Sequence, residues 1–460
     1  MTQVAPLLAL QQLQRQAAGL LLYPAVLNAE PAIALLDLLD QLNQMAIAPV
    51  VAATDHQACL RAYGRWFQAL AAQGQSWQTW LLSQILWDVN PLTTWAQRHG
   101  PTDLPPSLVA AAQQDLRSLQ AFFALSGYQV AQWVAAAVEA DPIPVWTTDE
   151  PAPALDWLRS RPIWQHLLHS PDWSTQVFSL AEHYQCYGTG NLAQYRAFRW
   201  QQGALVGIPH PDPIQLAELT GYELPRQALI QNTEALLAGY PALHTLLYGS
   251  RGSGKSSLVK ALLNEYGDRG LRLVEVPKAD LGHLPAIVDR LRDAPQRFII
   301  FVDDLSFEED DDAFKSLKVV LEGGVTARPA NLVVYATSNR RHLIREFHSD
   351  RPRPSDADEI HAWDTLQEKL SFSDRFGLTL TFEPADQPTY LAIVQHLAQQ
   401  AQVELSPQAL ESRALQWATR HNGRSGRTAR QFVDALRAEL ALAQSASQQS
   451  HPLQSHRGIS

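Results

Sequence analysis

The segment Gly249-Ser250-Arg251-Gly252-Ser253-Gly254-Lys255-Ser256 constrains this chain more than any other. It reads as a glycine, four residues, then Gly-Lys-Ser, and its context is as informative as its letters. The apolar run Leu243–Tyr248 precedes it, and Leu258, Val259, Leu262, Leu263 and Tyr266 follow at helical spacing. A strand entering and a helix leaving are what a phosphate-binding loop requires. Glycines let the backbone curl so that successive N–H groups point inward at phosphate oxygens. The helix N-terminus adds unpaired donors and partial positive charge. Within Gly249, Ser250, Arg251, Gly252, Ser253, Gly254, Lys255, Ser256 and Ser257, Lys255 is placed to bridge β- and γ-phosphates. The Ser256 hydroxyl is placed to bind Mg²⁺.

A second strand adds carboxylates. Phe298-Ile299-Ile300-Phe301-Val302 ends in Asp303-Asp304. An aspartate closing a buried strand beside a phosphate loop holds magnesium through its water shell, which is the role expected of Asp303. Asp304, the next residue, is placed to orient and polarise an attacking water, with Glu308 the substitute.

Around these motifs the chain divides by pattern. Its 460 residues are too many for one ordinary core. Residues 1–202 read as an all-helical domain, with apolar residues at i, i+3, i+4 and i+7 in Ala32–Leu42 and Trp77–Trp87. Eleven of the thirteen tryptophans lie there, among them Trp66, Trp77, Trp80, Trp87, Trp95 and Trp133. Tryptophan ordinarily fills wide gaps between helices, so these read as core rather than as a groove for partners. Pro142, Pro144, Pro151 and Pro153 suggest a joint between two helical subdomains. Gly203, Gly207, Pro209, Pro211 and Pro213 mark a clearer break.

From 213 to 385, five short apolar runs (Leu243–Tyr248, Leu271–Val276, Phe298–Val302, Leu332–Ala336 and Leu378–Phe382) alternate with helices. That alternation predicts an α/β domain with a parallel five-stranded sheet covered on both faces. Residues 386–444 read as a helical lid. Residues 445–460, rich in Ser, Gln and His, read as a disordered tail.

Charge and cysteine usage exclude several classes. The formal net charge is −10, and all six lysines fall between 255 and 369. The first 200 residues hold nine arginines against fourteen acidic groups, so they lack a phosphate-binding face. Cys59 and Cys186 form no CxxC pair, which fits a reducing cytosol and predicts a cytoplasmic protein. No basic segment precedes the apolar stretch near Leu7, and no run reaches the ~18 apolar residues of a membrane helix. No HExxH or paired-ligand histidine spacing occurs, so metal chemistry apart from Mg²⁺ is not indicated, and there is no GxSxG nucleophile elbow.

Taken together the motifs resemble an AAA+ ATPase. The nearest resemblance is to a bacterial group of AAA+ ATP-binding proteins described only as a domain of unknown function. It rests on Asp303-Asp304-Leu305-Ser306-Phe307-Glu308, on Lys369-Leu370-Ser371-Phe372-Ser373-Asp374-Arg375-Phe376-Gly377-Leu378 and on Ser425-Gly426-Arg427-Thr428-Ala429-Arg430-Gln431-Phe432. It covers about residues 213–440, and more loosely Gly188–Trp200. The resemblance implies that Asn339, in Thr337-Ser338-Asn339, contacts the γ-phosphate or the attacking water. It implies that Arg375 is an arginine finger reaching into a neighbouring subunit of a homo-oligomer, and that Arg427 (with Arg424 the second choice) senses nucleotide from the lid. Gly221 and Tyr222, in Leu219-Thr220-Gly221-Tyr222-Glu223, would pack around adenine. Each has a plainer reading: Asn339 as a helix cap, Arg375 as a surface ion-pair partner for Asp374 or Glu368, Arg427 as a group solvating the lid, Tyr222 as packing.

Protein-threading AAA+ machines carry an aromatic-glycine loop after the second strand. Here Val276–His283 has no aromatic residue, so threading is disfavoured. The expected function is ATP hydrolysis with Mg²⁺, driving an oligomeric switch that acts on a protein partner through the helical domain. A nucleic-acid-acting ATPase of the initiator or helicase-loader type is the alternative, drawing on the five arginines of Arg340–Arg353, which a subunit interface explains equally well. A phosphotransferase is the third reading, with Arg424, Arg427 and Arg430 over the phosphates. The acidic run Glu308–Asp312 reads as a solvated loop rather than a metal site.

Overall fold

The computed structural model describes residues 7–48, 51–148, 155–306, 312–322, 328–339, 372–421 and 423–449. The chain separates into a helical unit ending at Tyr195, joined by the short segment Asp293–Gln296, and a second unit running from Arg196 onward.

The helical unit follows the apolar periodicity of its sequence. In Glu30–Ile47, Leu35, Leu38, Leu39, Leu42 and Met45 are buried, the i, i+3, i+4 stripe of one helix face. Its turns are chemically specified: Ser76, Asn90 and Ser126 each cap a following helix by accepting a backbone N–H. Trp66, Trp77, Trp80, Trp133, Trp164 and Trp173 are buried in one cluster, and Trp87 packs against it. The indole N–H groups of Trp77 and Trp173 donate to the carbonyls of Phe122 and Leu167, both at 2.7 Å, so each ring is buried with its polar atom satisfied. Trp95 is the exception at 37% exposure. The expected joint near Pro142 does not separate two subdomains, because residues before and after it contribute to this single core.

The second unit is built on a mostly parallel sheet. Among the described residues it has seven strands, in the order β2-β1-β4-β5-β6-β3-β7, two more than the five expected. The five are β3 (Thr245–Gly249), β4 (Leu271–Glu275), β5 (Arg297–Val302), β6 (Leu332–Ser338) and β7 (Leu378–Phe382). The additional pair is an antiparallel hairpin, β1 (Ala197–Gln201) and β2 (Ala204–Ile208), with β1 lying parallel to β4. This corrects the expectation of helix through 202. Phe198 and Trp200 are buried while Arg199 and Gln201 face solvent, a period of two rather than 3.6. Gln202 and Gly203 both have positive φ, 51° and 76°, the two-residue turn that suits a twisted hairpin. Arg199 fastens the hairpin through two hydrogen bonds to Glu275 on β4.

Strands β5 and β6 are buried almost throughout, as a sheet covered on both faces demands. The helix Lys255–Tyr266 packs Leu258, Val259, Leu262 and Leu263 into a core shared with Leu247, Ile299 and Tyr335. Three further helices, Gln387–Gln400, Pro407–Arg420 and Gly426–Gln449, form the lid around Tyr390, Val394, Ala414 and Phe432. The last of them extends past 444 to Gln449, correcting the expected start of a disordered tail; residues 450–460 lie outside the described ones.

A candidate nucleotide-binding site

The sheet and the lid bound a cavity of about 700 Å³. The phosphate loop forms one wall, running from the end of β3 to Lys255 at the start of its helix. Its glycines are needed for different reasons. Gly249 has φ 139°, and a Cβ there would fall 1.9 Å from the Phe382 carbonyl oxygen on β7, so strand packing excludes a side chain. Gly252 has φ 74°, and a Cβ would press on Ser425 and Arg427 of the lid. The lid rests on the loop here: the Arg427 backbone N–H donates to the Gly252 carbonyl at 3.2 Å.

Arg251, Gly252, Ser253, Gly254, Lys255, Ser256 and Ser257 line the cavity, whereas Gly249 and Ser250 shape it from behind. The Ser250 backbone N–H donates to Phe382 and its hydroxyl to Glu383, tying the loop to β7. Lys255 is 6% exposed, and its ammonium donates to the carbonyls of Gly249 and Ser250 at 3.0 and 2.7 Å. Burial pushes its pKa down, while the neighbouring charges of Asp303 and Asp304 pull it back up.

The carboxylates sit opposite. The Ser256 hydroxyl donates to Asp303 Oδ1 at 2.6 Å, bringing together a hydroxyl and a carboxylate oxygen from separate elements. Two hard oxygen donors beside a phosphate loop suit magnesium, which takes one or two protein oxygens and completes its shell with phosphate and water. No group of three or more His, Cys, Asp or Glu side chains suited to another metal occurs among the described residues. Asp304 adopts φ 50°, an uncommon conformation for a residue with a side chain. Its Oδ1 accepts from Asn339 Nδ2 at 2.6 Å, so Asn339 holds this carboxylate; the residues that a helix cap at Asn339 would serve, from 340 onward, lie outside the described ones.

Other expected residues are distributed unevenly. Arg427 lines the cavity, whereas Arg424 instead donates to the Gln387 side chain at 3.2 Å. In the loop before Glu223, Leu219 and Thr220 line the cavity and Gly221 and Tyr222 do not. Tyr222 packs its ring 5.2 Å from Phe382 and donates its hydroxyl to Glu383, which is the packing role. Arg375 lies outside the cavity lining, its side chain 18% exposed and paired with Glu322. Glu308, the acidic run to Asp312 and the segment Arg340–Arg353 fall outside the described residues, save Asp312 itself.

Ile214, Glu218, Ile393 and Leu397, which the sequence did not single out, also line the cavity, together with Leu219 and Arg430. Their spacing, from the segment between β2 and β3 to two lid helices, carries no local pattern. Thr337, the penultimate residue of β6, also lines the cavity.

These features define the class: a P-loop α/β nucleotide-binding fold with a helical lid, the AAA+ arrangement. A family model described as "Protein of unknown function (DUF815)" matches residues 193–440, more than half of the chain, and the protein belongs to that family. No curated protein matches it. Among solved structures, the Holliday junction branch migration motor RuvB of Thermotoga maritima is 18% identical with a TM-score of 0.35, covering 50% of this chain and 67% of that one. The replication initiator DnaA bound to AMPPCP and single-stranded DNA is 17% identical with a TM-score of 0.34, covering 51% and 68%. No helix among the described residues is long and apolar enough to cross a membrane.

Proposed function

We propose that this protein binds ATP with Mg²⁺ and hydrolyses it, using the cycle to drive an oligomeric switch that acts on a protein partner through the helical unit. The observation that carries the reading is the convergence of Lys255, Ser256, Asp303, Asp304 and Asn339 on one cavity beneath a lid. Turn amides and a helix N-terminus suit the phosphates. The apolar side chains of Ile214, Leu219, Ile393 and Leu397 in the lining suit a base.

Each residue then has a task. Lys255 exchanges its two loop carbonyls for β- and γ-phosphate oxygens, so a buried ammonium gains full counter-charges. Ser256 and Asp303 would hold magnesium, which when bound supplies charge neutralisation across those phosphates. Asp304, held by Asn339, orients a water in line with the γ-phosphorus and accepts a hydrogen bond from it. Water adds to phosphorus as the bond to the β-phosphate oxygen breaks, giving ADP and phosphate. Arg427, on a lid helix, reads the bound nucleotide. Arg375 lies outside its own chain's cavity and is paired with Glu322, so to act as a finger in trans it would exchange that carboxylate for the γ-phosphate held by a neighbouring copy.

The test is steady-state phosphate release by the purified full-length protein without any added acceptor. Asp304→Asn keeps the shape and the bond to Asn339 but weakens the water's acceptor, so turnover should fall about 100-fold or more with ATP affinity retained. Turnover unchanged in Asp304→Asn contradicts the assignment, and no release without an acceptor favours group transfer to another molecule.

A further inference from the structure

We propose that Thr337 is the positioning residue that holds Asp303 and Asp304 together in working geometry, a role that rests on the hydrolysis reading above. Sheet register creates the contact. Val302 on β5 and Ala336 on β6 form the last pair of the parallel ladder, which brings the next residue of each chain segment, Asp303 and Thr337, side by side. Thr337 is 2% exposed, and its hydroxyl oxygen lies 2.5 Å from Asp303 Oδ1 and 2.9 Å from the Asp304 backbone nitrogen.

The direction of these bonds follows from counting protons. An amide can only donate, so the Asp304 N–H must be received by the Thr337 oxygen. That leaves the single hydroxyl proton for Asp303. One side chain thus fixes a carboxylate and the backbone of the next residue. The Thr337 carbonyl extends the clamp by accepting the Leu305 N–H at 2.7 Å, and the Ser338 hydroxyl donates to the Leu305 carbonyl at 2.8 Å. Together these bonds hold the turn in which Asp304 takes its positive φ.

Two hydroxyls converge on Asp303 Oδ1, those of Ser256 and Thr337. In the hydrolysis reading the Ser256 hydroxyl turns to the metal, and Thr337 is then the one of the two still orienting the carboxylate. Valine in its place would have nearly the same shape and neither bond, whereas serine would keep both.

The experiment compares full-length wild type, Thr337→Val and Thr337→Ser. ATP affinity is measured calorimetrically in excess magnesium and in EDTA, together with turnover and melting temperature. Hydrogen-bond partners of metal-holding groups typically contribute 10- to 100-fold to metal affinity or activity. Thr337→Val should therefore lose roughly 10- to 100-fold in kcat and in the affinity gained from magnesium, with its affinity in EDTA unchanged. Thr337→Ser should return both near wild type. The proposal is overturned if Thr337→Val retains the magnesium-dependent gain and kcat, or if Thr337→Ser fails as badly. A uniform loss of affinity in EDTA with an early melt also overturns it, because the residue is then only part of the fold. A wild type that neither binds nor turns over ATP brings down the hydrolysis reading itself, a result distinct from all of these.

Discussion

The two units use aspartate in opposite ways. In the helical unit Asp115 is 0% exposed, and its carboxylate accepts the backbone N–H groups of Leu21, Leu22 and Tyr23. Both oxygens are spent on the chain itself, closing the turn before Pro24–Leu27. In the nucleotide unit Asp303 and Asp304 are exposed to the cavity, and the side-chain bonds described above fall on one oxygen of each. A carboxylate satisfied from every side stabilises a fold. One held from a single side has been aimed and left with capacity for something else.

That contrast makes separable predictions. The largest effect on stability belongs to Asp115→Ala, which orphans buried amides and should cost the helical unit on the order of 3–5 kcal/mol in chemical denaturation. Asp303→Ala should shift its own unit's denaturation midpoint far less while abolishing the magnesium-dependent part of ATP binding. If the two substitutions destabilise equally, the distinction between them fails.

A smaller effect concerns pH. Burial pushes the Asp88 carboxyl up to about 6, partly offset by the hydrogen bond from Asn90. A carboxyl whose folded pKa exceeds its unfolded value favours folding below the unfolded pKa, and that contribution is lost as pH rises through the folded one. Wild type should therefore lose stability relative to Asp88→Asn between about pH 4 and about pH 6, read from paired denaturation curves. A difference flat across that window would show that Asp88 titrates normally.

How far the sequence led depended on the range of the signal. The loop Gly249–Ser256 and the strand ending in Asp303-Asp304 were legible because local pattern and chemistry coincide there. So were the parallel strands and the tryptophan-rich core. The hairpin Ala197–Ile208 was not, because two short strands beside a long helical region were outweighed by the periodicity preceding them. Gly221 and Tyr222 were expected at the cavity, but Tyr222 is turned instead toward Phe382 and Glu383, some 160 residues away in the chain. Thr337 acquired its importance only from the register of β5 against β6, which no local pattern encodes.

The most direct measurement is calorimetric titration of ATP with magnesium into wild type and Lys255→Ala. The account predicts binding by wild type and a loss of at least about 100-fold in the variant, since a buried, charge-assisted contact to two phosphates is removed. Equal affinity and equal turnover in the two proteins would contradict it.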